Sequence, residues 1–282
     1  MNSKIRLVAL DLDGTLLNKY GQISDTDKAT LAKAIQDGIE IVISTGRPYI
    51  GLPVDVLCSI GIRYAITANG SAIYTLPDKK CIFENCIDTP TAADILERLQ
   101  DKLVYFDAFI DGNGFSNQCK RHLIDHLAMP PSVIEYIRST RTFVTDIVAD
   151  IKQKNLKVQK MSIDFIKDTD GSLIDYETVC SVLQSYPDII FVSGGCCNAE
   201  VTKVGTTKGQ GLRFLAERLN IPMTATMACG DSENDINILQ TAQIGVAMEN
   251  AESCVKQAAD FVTKSNNDNG VSYAIQKYIY KN

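Results

Sequence analysis

Residues 7–17 read Leu7-Val8-Ala9-Leu10-Asp11-Leu12-Asp13-Gly14-Thr15-Leu16-Leu17, an apolar run that ends in two carboxylates and a glycine. The aliphatic residues from Ile5 to Leu10 predict a strand that is buried on both faces, as in a parallel sheet. Ligands of open α/β sheets bind beyond the carboxyl ends of the strands, which is where Asp11 and Asp13 would lie. Two carboxylates this close repel each other, and a divalent cation that prefers oxygen ligands relieves the repulsion. A polar turn after the strand explains the same residues, because Asp and Gly are common in turns.

The composition is that of a globular chain with one large or two modest domains, since 45% of the 282 residues are hydrophobic and 22% are charged. A formal charge of −6 argues against nucleic acid or an anionic membrane as the main partner. No apolar run approaches the ~20 residues of a membrane helix. The first strand is predicted directly after Met1–Lys4, so no signal peptide is expected. We therefore expect a cytoplasmic protein whose partner is a small molecule, with no nucleic-acid or membrane partner; the sequence does not predict its oligomeric state.

Neither the cysteines nor the histidines show the spacing of a metal site. The nine cysteines include no Cys-x-x-Cys, and the pairs Cys196-Cys197 and Cys81/Cys86 have no metal-ligand spacing, so reduced thiols are expected. His122 and His126 are spaced to share a helix face, but no third ligand is apparent. We predict surface or packing histidines.

The first third of the chain predicts three strand-containing units of a parallel sheet with right-handed crossovers. Ser24 has the character of a helix N-cap, and residues 39–43 form a second buried strand. Pro48 suits the first turn of a helix, which would place Thr45 and Gly46 at a helix N-terminus, a favourable position for an anion. A strand-to-helix turn requires Ser, Thr or Gly in any case, so a purely structural role explains the pair as well.

The pattern changes between residues 81 and 192, where helical and alternating segments are mixed. Residues 102–110 read as a strand, and residues 158–166 alternate like a strand with one exposed face. We predict a smaller α+β domain, 81–192, inserted into a core formed by 1–80 and 193–282.

The last third returns to a strand at 199–204, followed by a glycine-rich turn and a helix whose first turn contains Lys208. A cation is unfavourable there because of the helix dipole, which suggests a function, although a surface lysine at a frayed helix end is the simpler alternative.

A second group of oxygen ligands follows the predicted strand at 226–229. It reads Gly230-Asp231-Ser232-Glu233-Asn234-Asp235. If Asn234 opens a helix, Asp231 and Asp235 face the same way. A helix cap alone explains one of these side chains and not the group.

Four clusters therefore occur in order, namely Asp11-x-Asp13, Thr45, Lys208 and Gly230-Asp231-x-x-Asn234-Asp235. Together they resemble the motif set of the haloacid dehalogenase (HAD) superfamily, most of whose members are phosphatases. Thr45-Gly46-Arg47 and the last motif are most similar to the Cof-type subfamily, which has a type IIB α+β cap between the second and third motifs. The resemblance spans the chain, although the cap matches only in position and class and Ser232-Glu233 replaces the more usual pair.

This resemblance implies a doubly wound, mainly parallel, Rossmann-like core with an inserted cap. It also implies a Mg²⁺-dependent phosphatase that hydrolyses small phosphorylated metabolites, sugar phosphates or similar, through an aspartyl phosphate. Asp11 would be the nucleophile and Asp13 the general acid and base. The Mg²⁺ ligands would be a side-chain oxygen of Asp11, the main-chain carbonyl of Asp13, and Asp231. The implied phosphate-binding residues are Leu12, Thr45, Gly46, Lys208 and Asn234, and Asn234 and Asp235 would position the lysine and the metal waters.

Arg47 has two possible roles, contact with a phosphate or anchoring of its loop. Two other functions stay open at this point. A phosphomutase or other phosphotransferase would use the same residues but pass the phosphoryl group to a sugar hydroxyl. A receiver-type signalling module also uses acidic residues, a phosphorylated Asp, a Thr and a Lys, but the length, the insertion and Asp11-x-Asp13 count against it.

Overall fold

The structure is a computed structural model that describes residues 5–193 and 197–280. Met1–Lys4, on which the expectation about a signal peptide rests, and Cys196 of the adjacent cysteine pair lie outside the described residues. The chain divides into two units: unit 1 is Met1–Gly46, Pro53–Phe83 and Thr207–Asn282, and unit 2 is Arg47–Leu52 and Glu84–Thr206.

The described residues form strands and helices in mixed order. The strands are β1 (Leu7–Leu10), β2 (Glu40–Ser44), β3 (Tyr64–Thr67), β4 (Ala72–Thr75), β5 (Cys81–Glu84), β6 (Val104–Ile110), β7 (Asn113–Asn117), β8 (Arg141–Val144), β9 (Lys160–Phe165), β10 (Ile189–Ser193), β11 (Asn198–Lys203), β12 (Thr226–Gly230), β13 (Ile244–Ala247) and β14 (Phe261–Val262). The α-helices are α1 (Asp25–Gln36), α2 (Val54–Ile60), α3 (Thr89–Arg98), α4 (Pro131–Thr140), α5 (Ile147–Lys154), α6 (Tyr176–Gln184), α7 (Lys208–Arg218), α8 (Ile236–Thr241), α9 (Ser253–Ala258) and α10 (Gly270–Ile275).

Unit 1 is organised around β1, in the middle of an eight-stranded sheet of order β14-β13-β12-β1-β2-β3-β4-β5. All four residues of β1 are buried, and the strand pairs in parallel with β12 and β2. The pairs β12–β13, β13–β14 and β2–β3 are also parallel, whereas β4 is antiparallel to β3. Aliphatic strands of this kind need cover on both faces, as doubly wound sheets provide. The mainly parallel α/β core predicted from the sequence is confirmed.

Of two helix starts predicted in the first third of the chain, one is confirmed and one is wrong. The Ser24 side chain accepts a hydrogen bond from the Asp27 N–H and starts α1. The helix predicted at Pro48 is wrong, because only a 3₁₀ turn, Tyr49–Gly51, follows that proline. Pro53 disfavours the helical region for the residue before it, and Leu52 is extended with ψ 143°. The helix therefore begins only at Val54, and Thr45 and Gly46 do not lie at a helix N-terminus.

Unit 2 contains a six-stranded sheet of order β10-β11-β9-β6-β7-β8. One face of β6 carries Val104, Phe106 and Ala108, which pack into an apolar core with residues of α3, α5 and α6. On the other face, Tyr105 joins a smaller apolar cluster that includes Ile137 of α4. This sheet therefore has side chains packed on both faces.

Two expectations for this region are wrong. The strand predicted at 158–166 was expected to have an exposed face, but all six residues of β9 are buried. Its alternation is real, because apolar residues face one side and charged residues the other, but the charged side is buried as well. The strand predicted at 199–204 as a return to the core is β11, which pairs antiparallel with β10 and β9 of the second sheet. The second unit accordingly ends at Thr206 and not at 192, and it includes the excursion Arg47–Leu52.

The charged side of this sheet carries five buried or largely buried residues, which we call the sheet-face cluster: Asp107, Arg141, Lys160, Asp164 and Glu200. Arg141 Nε lies 2.6 Å from Asp107 Oδ2, and Lys160 Nζ lies 2.5 Å from Glu200 Oε1. Burial raises the pKa of Asp164 to about 8, and repulsion from Asp107 adds to the shift while Arg141 opposes it.

The remaining sequence expectations concern membranes and histidines. No helix among residues 5–193 and 197–280 is both long enough and apolar enough to cross a membrane. His122 and His126 lie exposed on the 3₁₀ segment Gln118–His126, in keeping with surface histidines.

Candidate active site

Asp11 stands at the carboxyl end of β1 and is fixed by its backbone and by a lysine. Its N–H donates to the Cys229 carbonyl of β12 at 3.0 Å, which continues the parallel pairing by one residue. Its side chain accepts a hydrogen bond from Lys208 Nζ at 2.8 Å, and the two residues are only 6% and 1% exposed. Asp11 is therefore held at the edge of the sheet where ligands of this fold bind.

Lys208 also donates to a second carboxylate. It occupies the first position of α7, as predicted, and its Nζ lies 2.5 Å from Asp235 Oδ1. Burial lowers the pKa of Lys208, but the charges of Asp11 and Asp235 outweigh that effect and hold the pKa above its usual value. The lysine is consequently a permanent cation, and the simpler alternative of a surface lysine is wrong.

Asp235 shapes the loop that follows β12. Its Oδ2 accepts hydrogen bonds from the N–H groups of Asp231 and Ser232, at 3.0 and 3.1 Å. The bond from Ser232 belongs to a capping box around the 3₁₀ turn Glu233–Asp235, and α8 starts only at Ile236. Asn234 therefore does not open an α-helix, and it is this turn that orients Asp231 and Asp235.

Asp231 lies against Gly14, which directly follows Asp13 of the first motif. Thr15 Oγ1 donates to Asp231 Oδ1 at 2.7 Å, and a Cβ at Gly14 would lie 2.2 Å from Asp231 Oδ2. Gly14 also has φ +76°, a conformation that side chains rarely adopt. Only glycine at this position lets the first and last motifs approach so closely. Thr15 was missed as a site residue, although it stands inside the stretch that carries the first motif.

The carboxylates form a group that can hold a metal ion. One side-chain oxygen from each of Asp11, Asp231 and Asp235 lies within 4.8 Å of the other two. Burial raises the pKa of Asp11 well above its usual range, an effect that Lys208 opposes, and burial raises the pKa of Asp231 to about 6. Such shifts are expected for carboxylates that are buried close to one another. Asp235 Oδ1 accepts from Lys208 and Oδ2 accepts from main-chain N–H groups, so this carboxylate supports the lysine and the loop.

Asp13 and Leu12 are placed differently from Asp11. Asp13 is exposed, and its side chain is not part of the carboxylate group around Lys208. The Leu12 side chain is fully buried, and its carbonyl accepts the N–H groups of Leu16 and Leu17 at 3.1 and 2.8 Å. Only main-chain atoms of Leu12 can therefore face a ligand.

Thr45 and Asn234 are linked through a residue that the sequence did not single out. Thr45 is buried, and its N–H donates to the Ile66 carbonyl at 2.9 Å. Its carbonyl accepts the Asn69 N–H at 3.1 Å, and Asn234 Nδ2 donates to Asn69 Oδ1 at 3.2 Å. The loop after β3 thus joins the loops after β2 and β12.

Gly46 and Arg47 fall on opposite sides of a unit boundary. Gly46 is half-buried and ends a segment of unit 1, whereas Arg47 begins a segment of unit 2. Arg47 Nη1 donates to the Gly51 carbonyl at 2.8 Å, and its guanidinium lies 4.6 Å from the centre of the Tyr136 ring. These contacts favour the loop-anchoring role for Arg47.

Sequence comparison relates the chain to phosphatases along its whole length. The family model of the haloacid dehalogenase-like hydrolases matches residues 8–275. The phosphatase YwpJ of Bacillus subtilis is 31% identical, over 96% of this chain and 99% of that protein. The 5-amino-6-(5-phospho-D-ribitylamino)uracil phosphatase YwtE of the same organism is 28% identical, over 98% of each chain.

Structural comparison agrees. A haloacid dehalogenase-like hydrolase from B. subtilis superposes with a TM-score of 0.82 at 30% identity, over 98% of this chain and 100% of that one. A sugar phosphatase of HAD subclass IIB superposes with a TM-score of 0.79 at 26% identity, over 97% of this chain and 98% of that one. The chain therefore belongs to the haloacid dehalogenase-like hydrolases, in their Cof-type, subclass IIB group, and is a phosphatase.

Proposed function

We propose that this phosphatase is Mg²⁺-dependent and hydrolyses esters of small phosphorylated metabolites through a phosphoryl group carried on Asp11. The observation that carries the proposal is the buried pair in which Lys208 Nζ lies 2.8 Å from Asp11 Oδ1, at the carboxyl end of β1. A carboxylate fixed at the edge of the sheet by a permanent cation is suited to nucleophilic attack on phosphorus.

The reaction has two displacements. In the first, an Asp11 oxygen bonds to phosphorus while the bond from phosphorus to the ester oxygen breaks, and Asp13 gives that oxygen its proton. In the second, a water oxygen bonds to phosphorus, Asp13 takes a proton from the water, and the bond between phosphorus and Asp11 breaks. Asp13 ends each cycle in the protonation state in which it began. Its exposed position suits exchange with a leaving group or with water.

The phosphoryl oxygens would be held by groups that surround Asp11. Lys208 supplies a fixed positive charge, and Thr45, Asn234 and the main-chain N–H groups of Leu12 and Gly46 supply hydrogen bonds. Asp235 holds Lys208 in place through its Oδ1. The lysine is already held in place before a substrate binds.

The oxygen-only set of donors fits Mg²⁺, a hard cation. Asp11, Asp231 and the main-chain carbonyl of Asp13 would hold it, and the space that Gly14 leaves beside Asp231 keeps that carboxylate close to the first motif. When bound, the cation would neutralise charge shared between the nucleophile and the phosphoryl group.

We further propose that unit 2 is a cap domain that selects the ester by its leaving group. The support is the sheet-face cluster. Burying five ionisable groups on one sheet face costs folding free energy, and apolar side chains would pack that layer without this cost. Carboxylates and cations together suit a polar, hydroxyl-bearing leaving group. A sugar or a ribityl group, as in the compounds named for two relatives, has that character.

The test of the nucleophile is the substitution Asp11→Asn. We expect turnover of every phosphomonoester to fall on the order of 10⁴-fold or more, as when other nucleophiles are removed. Wild-type enzyme quenched in acid during turnover of a radiolabelled ester should carry label on Asp11, and the variant should carry none. Asp55→Asn, which removes an exposed carboxylate from the same unit, is the control. Substantial turnover by Asp11→Asn would rule out this mechanism.

The products of turnover by the wild-type enzyme distinguish hydrolysis from phosphoryl transfer. With a sugar added as acceptor, a phosphotransferase yields a new phosphate ester, whereas a phosphatase yields inorganic phosphate at an unchanged rate. A panel of metabolite esters then defines the preferred leaving group.

A further inference from the structure

The turn Ala68–Gly70, directly after β3, has an unusual backbone. Asn69 lies in the left-handed region with φ 59° and ψ 22°, and it is only 6% exposed. Asn adopts this conformation more readily than most residues. A buried asparagine in a left-handed turn at the carboxyl edge of a parallel sheet is placed for contacts with the loops around it.

The turn contacts three segments that carry proposed phosphate-binding residues. The Asn69 N–H donates to the Thr45 carbonyl at 3.1 Å, and Asn69 Oδ1 accepts a hydrogen bond from Asn234 Nδ2 at 3.2 Å. Gly70 has φ +103°, and a Cβ there would lie 2.2 Å from the carbonyl oxygen of Thr207, the residue before Lys208. The turn Ala68–Gly70 is thus the point at which these three segments meet, and Asn69 contacts two of them.

The contact with Asn69 decides which end of the Asn234 amide remains for a ligand. With Nδ2 directed to Asn69, the other end is Oδ1, which is buried and has no hydrogen-bond partner among the described residues. A phosphoryl oxygen is an acceptor and gains nothing from Oδ1. If both amides rotate by half a turn, Asn69 Nδ2 donates to Asn234 Oδ1, and Asn234 Nδ2 becomes available as a donor. An asparagine at position 69 permits both arrangements because its amide both donates and accepts.

We propose that Asn69 is a positioning residue that turns the Asn234 amide so that its NH₂ group faces the phosphoryl oxygens when phosphate or an ester is bound. The proposal rests on the proposed function, in which Asn234 binds phosphate. Position 69 does not touch the reacting atoms and acts only through Asn234.

The substitution Asn69→Asp isolates this role. A carboxylate can only accept, so it holds Asn234 Nδ2 away from the ligand, and aspartate tolerates the same left-handed backbone. We expect the Kd for inorganic phosphate and the KM for an ester to rise roughly 10- to 100-fold, the worth of a hydrogen bond to a charged group. The thermal midpoint and kcat should change much less.

A double-mutant cycle with Asn234→Ala separates this effect from simple charge repulsion. If Asn69 acts through Asn234, Asn69→Asp has almost no further effect on phosphate affinity once Asn234 is alanine. An equal loss of affinity in both backgrounds, or no loss in either, overturns the proposal. Should Asn69→Asp fail to fold, Asn69→Gly keeps the left-handed turn, and its smaller loss of affinity should likewise vanish in the Asn234→Ala background.

Failure of this proposal is distinguishable from failure of the proposed function. Phosphate affinity measured by calorimetry does not require turnover, and the nucleophile is tested separately by Asp11→Asn. If Asp11→Asn is inactive but the effects of Asn69→Asp and Asn234→Ala on phosphate affinity simply add, only the proposed role of Asn69 is refuted.

Discussion

The two units each bury a group of charges, but they place it in different parts of a sheet. In unit 1 the charged group is the strand-end cluster, which we define as Asp11, Lys208, Asp231 and Asp235. Its residues lie just past the ends of strands or at the start of a helix. In unit 2, the sheet-face cluster projects from within strands or from the first residue of one. Side chains past a strand end can meet a ligand without disturbing the sheet, whereas side chains on a strand face are part of its packing.

The two clusters also differ in how their charges are balanced. Lys208 lies between two carboxylates and donates to both, at 2.8 and 2.5 Å. In the sheet-face cluster each cation has its own carboxylate, so the fifth member, Asp164, is a carboxyl in excess. We infer that the strand-end cluster is arranged for chemistry, and that the sheet-face cluster serves packing and the choice of substrate.

The most direct test of this distinction is to remove one buried cation from each cluster, which should change both activity and stability. Lys208→Met should lower kcat for nitrophenyl phosphate by about 10²–10³-fold, the usual cost of one fixed donor to a developing charge. Arg141→Met should leave kcat for this small ester nearly unchanged and alter the preference among metabolite esters. Lys208→Met strands two buried carboxylates and Arg141→Met strands one, and each change should destabilise the protein by about 3–5 kcal/mol.

Steady-state kinetics and urea unfolding of the two variants provide the comparison. A matched loss of stability with unequal loss of kcat supports the distinction between the clusters. If Arg141→Met lost as much kcat as Lys208→Met, the sheet-face cluster would belong to the catalytic machinery.

The strand-end cluster could be predicted from the sequence because its residues lie in short contiguous motifs. Asp11 and Asp13 flank one residue, and Asp231 and Asp235 share a six-residue run. The sheet-face cluster has no such signature, since Asp107, Lys160 and Glu200 come from three strands and are brought together only by their register.

Other features that the sequence analysis predicted wrongly or did not identify have similar physical causes. The buried charged face of β9 looked exposed because polar alternation does not reveal what covers it. The helix expected at Pro48 failed because a second proline, Pro53, keeps the residue before it, Leu52, out of the helical region. Asn69 escaped notice because its contacts with Thr45 and Asn234 link residues far apart in the sequence.

Within unit 1, Asp13 is the next point of comparison, because it is exposed while Asp11 is buried. In Asp13→Asn, hydrolysis of an alkyl phosphate should fall about 10²–10⁴-fold, since an alkoxide leaving group needs a proton donor. A nitrophenyl ester hardly needs the acid, so its first step should survive as a burst of one phenolate per site. Slow turnover should follow, with phosphate held on Asp11.

Stopped-flow absorbance and acid-quench labelling measure the two steps of Asp13→Asn separately. Asp168→Asn, which removes an exposed carboxylate from unit 2, should affect neither ester. Equal losses for both esters, without burst or trapped label, would restrict Asp13 to a role at the metal.

A smaller effect is expected on the metal requirement. Asp231→Ala should raise the Mg²⁺ concentration for half-maximal activity by at least about 10–100-fold, the range seen when even outer partners of a metal site are lost. Asp164→Asn removes a carboxyl whose pKa is also raised, but from the other cluster, and should leave the Mg²⁺ titration unchanged. An unchanged midpoint in Asp231→Ala would remove Asp231 from the metal site.

The smallest effect concerns stability and belongs to the sheet-face cluster alone. Burial, with repulsion from Asp107, raises the pKa of Asp164 to about 8 in the folded protein. An aspartate in the unfolded chain titrates near about 3.9, so folding takes up a proton between these two values. The contribution of Asp164 to stability is therefore complete below the unfolded pKa and is lost as pH rises through the folded pKa. The slope of this loss is at most about 1.4 kcal/mol per pH unit.

Asp164→Asn resembles the protonated acid in shape and cannot ionise, so the variant should lack this slope. Urea unfolding at several values between about pH 5 and about pH 8 measures it for both proteins. Groups outside the sheet-face cluster, including Asp231, contribute equally to wild type and variant, so the difference between the two curves reports Asp164 and the charges that interact with it. The stability of the variant relative to wild type should therefore rise steadily across this range. Parallel curves would mean that Asp164 is ionised in the folded protein, so that the sheet-face cluster, like the strand-end cluster, holds more buried carboxylates than cations.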